Sequence, residues 1–469
     1  MSSPISASDL AQALARSVPG LEILTDASAV EAKSRDSWMR SLLASRIDGA
    51  PRAALVARPA DAGQVAAVLA FADETKTPVV PFGLGSGVCG AVLASGREII
   101  LDLGRMDRLL EINDESLTVR VEPGMRGSDF EAALAARGYT MGHWPQSIGI
   151  STVGGWCATR ASGQLSTLYG NIEQMLLGCE IVLAGGSRMK LAPVPRAAAG
   201  PDLRHLFLGS EGTLGVFTEL TFRIHPAPEL QVGRAFRMDS IADGLDALRL
   251  ILRAGWTPAV TRLYDATEAG RNFAVDAAGK PVLLVMSEGT AARVRPEAEA
   301  AAAIVASCGG ADLGEAPLRS WLDHRNHVPS FEKLLAQGLV ADTIEVAIGW
   351  DRIGELFETV NSRGAKINGV FAMSGHVSHC YTQGANIYFT FVAAESDPAA
   401  AVTIYDEAWR TTIETTIELG GTISHHHGIG RVRKQWLRKE LGEGVALLAA
   451  LKRAFDPAGI LNPGVLIDV

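Results

Sequence analysis

Residues 81–90 read "PFGLGSGVCG", and the reading of this glycine run decides the fold. Gly85, Gly87 and Gly90 satisfy G-x-G-x-x-G, and the preceding "TPVV" is strand-like, so a Rossmann dinucleotide fold is the first candidate. That fold needs a helix directly after the loop, because the helix N-terminus holds the pyrophosphate. Here only "AVLASG" (91–96) separates the loop from the next strand-like segment, "REIILDL" (97–103). So short a link holds no crossover helix, and the Rossmann reading fails. Glycines without Cβ atoms still let backbone N–H groups approach an anion closely. A tight turn between strands accounts for the loop equally well.

Working outward, "AALVARP" (53–59) and "TPVVPFG" (77–83) are strand-like and flank an amphipathic helix, "DAGQVAAVLAFADETK" (61–76). Further strands are expected at "REIILDLGRM" (97–106), "SLTVRVEPG" (116–124), "GCEIVLAGG" (178–186) and "GTLGVFTELTFRIHP" (212–226). "RGSDFEAALAARGY" (126–139) reads as a helix capped by Ser128, and residues 141–171 as a long irregular region dense in Gly, Ser and Thr. Structureless stretches of that length inside a compact domain are usually functional. After Pro226 a helix–strand–strand–helix pattern occurs twice, at 241–310 and at 351–421. That repetition predicts an antiparallel sheet with helices on one face. The expected division is 1–226, 227–420 and 421–469, the last segment returning to the first domain.

Bulk properties narrow the function. The 469 residues exceed one ordinary core. A net charge of −9 with scattered basic residues argues against a nucleic-acid partner. No apolar run reaches the length of a transmembrane helix, and the N-terminus lacks a signal-peptide pattern. Five cysteines are sparse and odd in number, which fits a reducing compartment; the cytoplasm is the default expectation.

Three further segments complete a pattern: "WPQSIGISTVGGWCATRASGQLSTLYGNIE" (144–173), "DLRHLFLGSEGTLGVFTELTFRIHP" (202–226) and "FDPAGILNPGVL" (455–466). With residues 81–90 they resemble, in the right order and over nearly the whole chain, the vanillyl-alcohol oxidase family, also called the FAD-linked oxidases. The resemblance implies a two-domain α+β fold: a PCMH-type FAD-binding domain and an α+β cap domain built on an antiparallel sheet. It implies FAD as cofactor, with Pro81, Phe82, Gly83, Leu84, Gly85, Ser86 and Gly87 along the pyrophosphate. Gln146, Ser147, Ile148, Gly149, Ile150, Ser151 and Thr152 would continue the cradle. So would Thr159, Arg160, Ala161 and Ser162, and then Glu211, Gly212, Thr213, Leu214, Gly215, Val216 and Phe217. Cys89 and His143 lie near these motifs as conceivable covalent tethers; a noncovalent cofactor is the expectation.

Two branches of the family differ at "GGTISHHHGIG" (420–430). D-2-hydroxy-acid dehydrogenases, the D-lactate dehydrogenases among them, carry a glutamate there that joins two histidines of "GHxGDGNxH" around a metal. Here His426 stands at the glutamate position and "GHVSHCYTQ" (375–383) keeps His376 but puts Gln383 at the second histidine. Three consecutive histidines on an extended backbone cannot all face one ion, since neighbours point opposite ways. No metal is expected.

The alkyldihydroxyacetonephosphate synthase branch matches better, at "SHHHGIGRVRKQWL" (424–437), "GANIYFTF" (384–391) and "RLYD" (262–265). That similarity implies catalytic roles for Tyr388, His425, His426, His427 and Arg262. The histidines are expected to titrate near neutrality, suiting proton transfer. Strand alternation puts Tyr388 and Thr390 on one face, toward a cleft, and Ile387, Phe389 and Phe391 on the other, toward helices. One position departs from the branch: its phosphate-binding arginine falls near Glu332, whose charge repels a phosphate. Arg319 and Arg325, or Arg431, Arg433 and Lys434, are alternative anion holders, the last three reading equally as a solvated run.

The expected function is oxidation of an alcohol or hydroxy acid at a flavin. Its alternatives are the synthase's alkyl-for-acyl exchange without net redox, and a metal-assisted D-2-hydroxy-acid dehydrogenase. The substrate is a small or lipid-like molecule; a lipid-like one would imply peripheral membrane contact, and a homodimer is compatible with the resemblance.

Overall fold

The computed structural model describes residues 6–273 and 279–468. Short runs of Val, Ile and Leu buried on both faces build its first sheet, the pattern of strands covered on two sides. Strands β1 (Glu22–Leu24), β2 (Leu55–Arg58), β3 (Val79–Phe82) and β4 (Ile99–Asp102) form a four-stranded sheet in the order β1-β2-β4-β3. β2 and β3 both run parallel to β4. The helix Ala62–Thr75 crosses from β2 to β3 and starts at Asp61, whose carboxylate accepts the Gln64 N–H. From β3 to its parallel neighbour β4 the chain crosses through residues 83–98 with no helix at all. The glycine run is therefore itself the crossover.

Along the chain follow β5 (Leu109–Asn113), β6 (Thr118–Val121), β7 (Tyr139–Thr140), β8 (Leu176–Val182), β9 (Arg188–Leu191), β10 (Val216–Arg223) and β11 (His225–Pro226). β7 and β11 form a ladder of their own; the other five make an antiparallel sheet ordered β5-β6-β10-β8-β9. Two sequence expectations are corrected here. The helix Gly127–Ala135 starts after Arg126 with no side-chain cap, and Ser128 sits inside its first turn, bonded to Asp129. A bridge from Arg126 to Thr152 fixes the chain just before the helix and sets that start. Residues 141–171 are not uniformly irregular: they hold a 3-10 turn at Ile148–Ile150 and helices at Val153–Thr159 and Ser166–Tyr169. Apolar spacing does not reveal helices this short.

The third sheet has seven strands: β12 (Leu230–Arg237), β13 (Val260–Tyr264), β14 (Val282–Gly289), β15 (Ala311–Gly314), β16 (Leu339–Gly349), β17 (Val370–Val377) and β18 (Gly384–Ala394). Their order is β15-β12-β14-β13-β17-β18-β16, antiparallel between neighbours, so the two repeated halves meet where β13 pairs with β17. Leu263, Leu283, Val285, Ile387, Phe389 and Phe391 pack one face onto the helices Ile241–Arg253, Ala291–Ser307, Ile353–Gly364 and Pro398–Glu418. The opposite face carries Val282, Leu284 and Met286, which share a core with Tyr169, Phe222 and the five-stranded sheet.

Cores do not follow sequence order. The helix Met39–Asp48 packs on Pro398–Glu418, and the Trp38 indole donates to the Tyr405 hydroxyl at 3.1 Å. The C-terminal segment returns beside β3, with the Val79 N–H donating to Ile460 and the Asn462 N–H donating to Val79, each at 2.8 Å.

Candidate active site

A cleft of about 1640 Å³ is lined on one side by the glycine crossover and on the other by the face of the seven-stranded sheet opposite those four helices. Pro81 to Gly87, Gln146 to Thr152, Thr159, Ala161, Ser162, Glu211, Gly212, Gly215, Val216 and Phe217 all line it. So do Arg262, Tyr388, His426 and His427. Four of the expected site residues do not. Arg160 turns toward Glu173, the Thr213 hydroxyl bonds the Ser210 carbonyl, Leu214 is core, and His425 sits behind His426 against Tyr381.

The glycine side suits a doubly phosphorylated ligand. Among the described residues, the consecutive amides of Gly83, Leu84, Gly85, Ser86 and Gly87 donate to no acceptor within the protein. Gly83, Gly85, Ser86 and Gly87 are half-buried and Leu84 is exposed, so these donors are open to a ligand in the cleft. Gly85 adopts φ +70°, and a Cβ at Gly83 would sit 2.6 Å from the Thr152 hydroxyl oxygen, so side chains are excluded where the backbone must come close. Beside the crossover the buried Asn462 gives both amide hydrogens to the Ala91 and Glu211 carbonyls, while its Oδ1 has no partner among the described residues. These residues fit FAD: hydrogen-bond donors for the phosphates and an apolar, small-residue trough for flat rings.

The histidine loop is built around Glu345 on β16, a carboxylate with no solvent exposure. Its Oε2 accepts the His425 and His426 N–H groups at 2.5 and 3.2 Å, and its Oε1 accepts the His427 N–H at 3.0 Å. The Ser424 hydroxyl and the Arg433 guanidinium, at 3.1 and 2.9 Å, complete its shell. Three successive amides thus wrap one carboxylate, an arrangement an extended strand cannot adopt. The premise that alternation splays the three rings is corrected accordingly: His425 and His426 meet Nδ1 to Nδ1 at 2.9 Å. His379, His425 and His426 each bring a nitrogen within 4.8 Å of one another. His425 uses both ring nitrogens, on Tyr381 (2.6 Å) and on His426, while the buried His379 Nε2 has no partner among the described residues. Glu211 anchors the far end of the loop, accepting the Ile429 and Gly430 N–H groups; burial pushes its carboxyl up to about 7.

The expectation that the triple titrates near neutrality is overturned. Burial drives His425 down to about 4 and His427 to about 3, the latter aided by the Arg433 charge, and holds His426 well below the ordinary range. At neutral pH all three are therefore neutral imidazoles. His427 Nε2 lies 3.2 Å from the Tyr388 hydroxyl, which also accepts from Thr343 at 3.2 Å. Burial raises the Tyr388 phenol, so it stays protonated. The rings of Tyr264, His376, Tyr388 and His426 stack in series, with centroids 5.0, 5.1 and 5.9 Å apart.

The remaining candidates fall apart from one another. Arg433 is fully buried, Arg431 half-buried against the Pro463 carbonyl, and Lys434 is paired with Asp468, so "RVRK" is no solvated run. Arg319 is paired with Glu315 at 2.7 Å on the surface. Arg325 lies over the rings of Trp144 and Trp321, and burial lowers its pKa to about 10. Glu332 lines the cleft, 3.7 Å from Arg35. Cys89 is buried with its thiol on Arg433, and His143 is sealed beside Trp156; neither lines the cleft. Sequence reasoning missed Glu345 and the residues around His376. A charged residue in the middle of an apolar strand, "TIEVAIGW", was the available signal.

Residues 227–466 match the family model described as FAD linked oxidases, C-terminal domain, and residues 53–192 match the FAD binding domain model. An uncharacterised FAD-linked oxidoreductase of Escherichia coli K12, YgcU, is 34% identical over 95% of this chain and 96% of its own length. An alkyldihydroxyacetonephosphate synthase of Caenorhabditis elegans is 30% identical over 88% of this chain and 76% of its own. A solved alkyldihydroxyacetonephosphate synthase structure superposes with a TM-score of 0.83, covering 99% of this chain and 86% of that one at 24% identity.

Proposed function

Because this chain belongs to the FAD-linked oxidases and is an FAD-dependent enzyme of that type, we propose that it oxidises an alcohol or hydroxy acid in the cleft between the glycine crossover and β18. FAD, when bound, supplies a two-electron acceptor for a carbon-bound hydrogen. The chain's own residues do the rest. The free amides of Gly83 to Gly87 hold negative charge, and Gln146 to Thr152 with Glu211, Gly212 and Gly215 to Phe217 close the trough around the rings. Tyr388 and His427 bind the substrate oxygen at the polar end and take part in the transfer of its proton. Arg262 offers a buried positive charge beside them. In this reading residues 1–226 bind the cofactor, 227–420 cap it, and 421–469 bring the histidine loop to the site.

One observation carries the reading: Tyr388, His427 and Arg262, far apart in sequence, line the same cleft as the glycine run. The carboxylate of Glu332 at the cleft wall weighs against a phosphate-bearing substrate and hence against the synthase exchange. The described residues include no helix long and apolar enough to cross a membrane.

The test is the visible spectrum of purified protein under anaerobic conditions with small alcohols and 2-hydroxy acids. Substrate should bleach the flavin band, and Tyr388→Phe should stay yellow but bleach ~10²–10⁴-fold more slowly, the usual worth of a positioned proton-transfer group. A Tyr388→Phe protein that bleaches at the normal rate would remove Tyr388 from the site. Formation of an ether product from acyl-dihydroxyacetone phosphate and a fatty alcohol would transfer the assignment to the synthase reaction.

A further inference from the structure

One cleft-lining imidazole is wired differently from the histidine triple. His376, on β17, places Nδ1 2.7 Å from Oε2 of Glu268 and Nε2 2.9 Å from Nη2 of Arg262. A guanidinium only donates hydrogen bonds. Nε2 must therefore accept, which puts the single ring proton on Nδ1, donated to Glu268. His376 is a neutral imidazole of fixed tautomer with its basic nitrogen aimed at a cation. Among the described residues it is the only cleft-lining histidine whose ring hydrogen-bonds a carboxylate. The others bond a serine (His379), a neighbouring imidazole (His426) or a phenol (His427).

The surroundings hold this geometry tightly. Glu268 is 3% exposed and also takes the Thr390 and Ser374 hydroxyls and, at 3.4 Å, the Arg271 guanidinium. The His376 ring is clamped between Tyr264 and Tyr388, each plane within 26° of it. Arg262 is 8% exposed; among the described residues its only hydrogen-bond partners are the Tyr264 hydroxyl and His376, and it forms no ion pair. A buried guanidinium with spare donors and no counter-ion, facing a cleft, is an anion-binding group.

We propose that His376 is the group that takes the substrate's hydroxyl proton, oriented by Glu268 and kept idle by Arg262 until an anionic substituent of the substrate draws the Arg262 N–H away. The proposal rests on the oxidase reading above and divides its proton work: Tyr388 and His427 hold the substrate oxygen, and His376 is the acceptor. In the step, the substrate O–H bond breaks and its proton bonds Nε2. The C–H bond breaks and its hydrogen leaves with the bonding pair to the oxidised FAD. Carbon and oxygen form a double bond, so the substrate loses two electrons and the cofactor gains them. The imidazolium formed faces Glu268, which stabilises it until water removes the proton. Glu268 is the positioning residue, and a substrate without an anionic group leaves His376 locked.

The test uses the flavin-loaded protein and has two arms. In the first, histidine-selective 15N NMR should show His376 as the Nδ1–H tautomer, and addition of acetate as an anion probe should shift its Nε2 resonance; in Arg262→Gln acetate should have no effect. An Nε2–H tautomer, or no response of the wild type to acetate, overturns the proposal without touching the oxidase reading. In the second, flavin reduction by glycolate, D-lactate and a neutral alcohol, ethanol, is followed anaerobically. His376→Asn should slow reduction by the hydroxy acids ~10²–10⁴-fold with an unchanged flavin spectrum and little change in substrate half-saturation. Glu268→Gln should slow it too, and Glu268→Asp should recover part of the loss, as a merely structural carboxylate would not. Reduction of His376→Asn at the wild-type rate, or ethanol reducing the flavin as fast as D-lactate, overturns it. Reduction by none of these compounds counts against the oxidase reading instead, with the first arm still deciding the state of His376.

Discussion

Replacing Glu345 with Gln isolates the part of the site that the fold assembles around one carboxylate. Gln keeps one oxygen and the side-chain volume. If that oxygen stays with Arg433, Ser424 and the His427 N–H, the new NH₂ group faces the His425 and His426 N–H donors, donor against donor. Each orphaned buried donor costs about 1–3 kcal/mol. Arg433, with no exposure, also loses its charge partner, although the Gly428 carbonyl and the Trp409 ring still hold it. Breaking a buried pair costs about 3–5 kcal/mol, so about 4 kcal/mol is expected for opening the loop. At 1.4 kcal/mol per factor of ten, the open population rises ~10³-fold. Hydrogen–deuterium exchange of flavin-loaded protein measures this directly: peptides spanning 420–436 should exchange ~10³-fold faster, and the helix Pro398–Glu418 should not change. Turnover should fall with the lost Tyr388–His427 contact. Loop exchange within about threefold of wild type would refute the claim that Glu345 holds the histidines in place.

Gly430→Ala should be severe, because at φ +53° a Cβ would lie 2.1 Å from the Cys89 carbonyl oxygen, a backbone atom that cannot yield. A loss of about 3 kcal/mol is expected, read as a lower thermal midpoint and faster flavin release; unchanged values would sink the close approach of the two loops. Burial lifts the Glu131 carboxyl to about 7, beneath hydrogen bonds from Thr140 and Met141. A carboxyl raised in the folded state stabilises below its unfolded value near 4.5 and loses that contribution as pH climbs through about 7. Glu131→Gln should therefore lose about 3 kcal/mol of stability at acid pH relative to alkaline pH when set against wild type; an equal pH dependence of melting in both proteins would exclude Glu131. Dialysis against a chelator should leave flavin reduction unaltered. A loss restored by added zinc or iron would instead make His379, His425 and His426 metal ligands.

Much of the architecture was legible because it follows local pattern. Alternation in "ANIYFTF" announces a strand with Tyr388 and Phe389 on opposite faces, and the repeated helix–strand–strand–helix order announces the antiparallel sheet. The too-short link after Gly90 excluded a Rossmann turn, and residues 83–98 indeed cross without a helix. Short helices at 148–150, 153–159 and 166–169 escaped because each is held by tertiary contacts rather than by its own periodicity.

The site divides along the same line. Residue types, their order and the glycines that admit a backbone next to a ligand belong to the sequence, since chain chemistry and local sterics suffice to specify them. What the histidines are was decided elsewhere. Glu345 lies 80 residues before His425 and Glu211 more than two hundred before Ile429, yet these carboxylates shape the loop. Whether an imidazole is charged, and which nitrogen holds its proton, depends on burial and on partners from other strands. Only the folded chain supplies a low dielectric and brings Arg262, Glu268 and His376 within hydrogen-bonding reach.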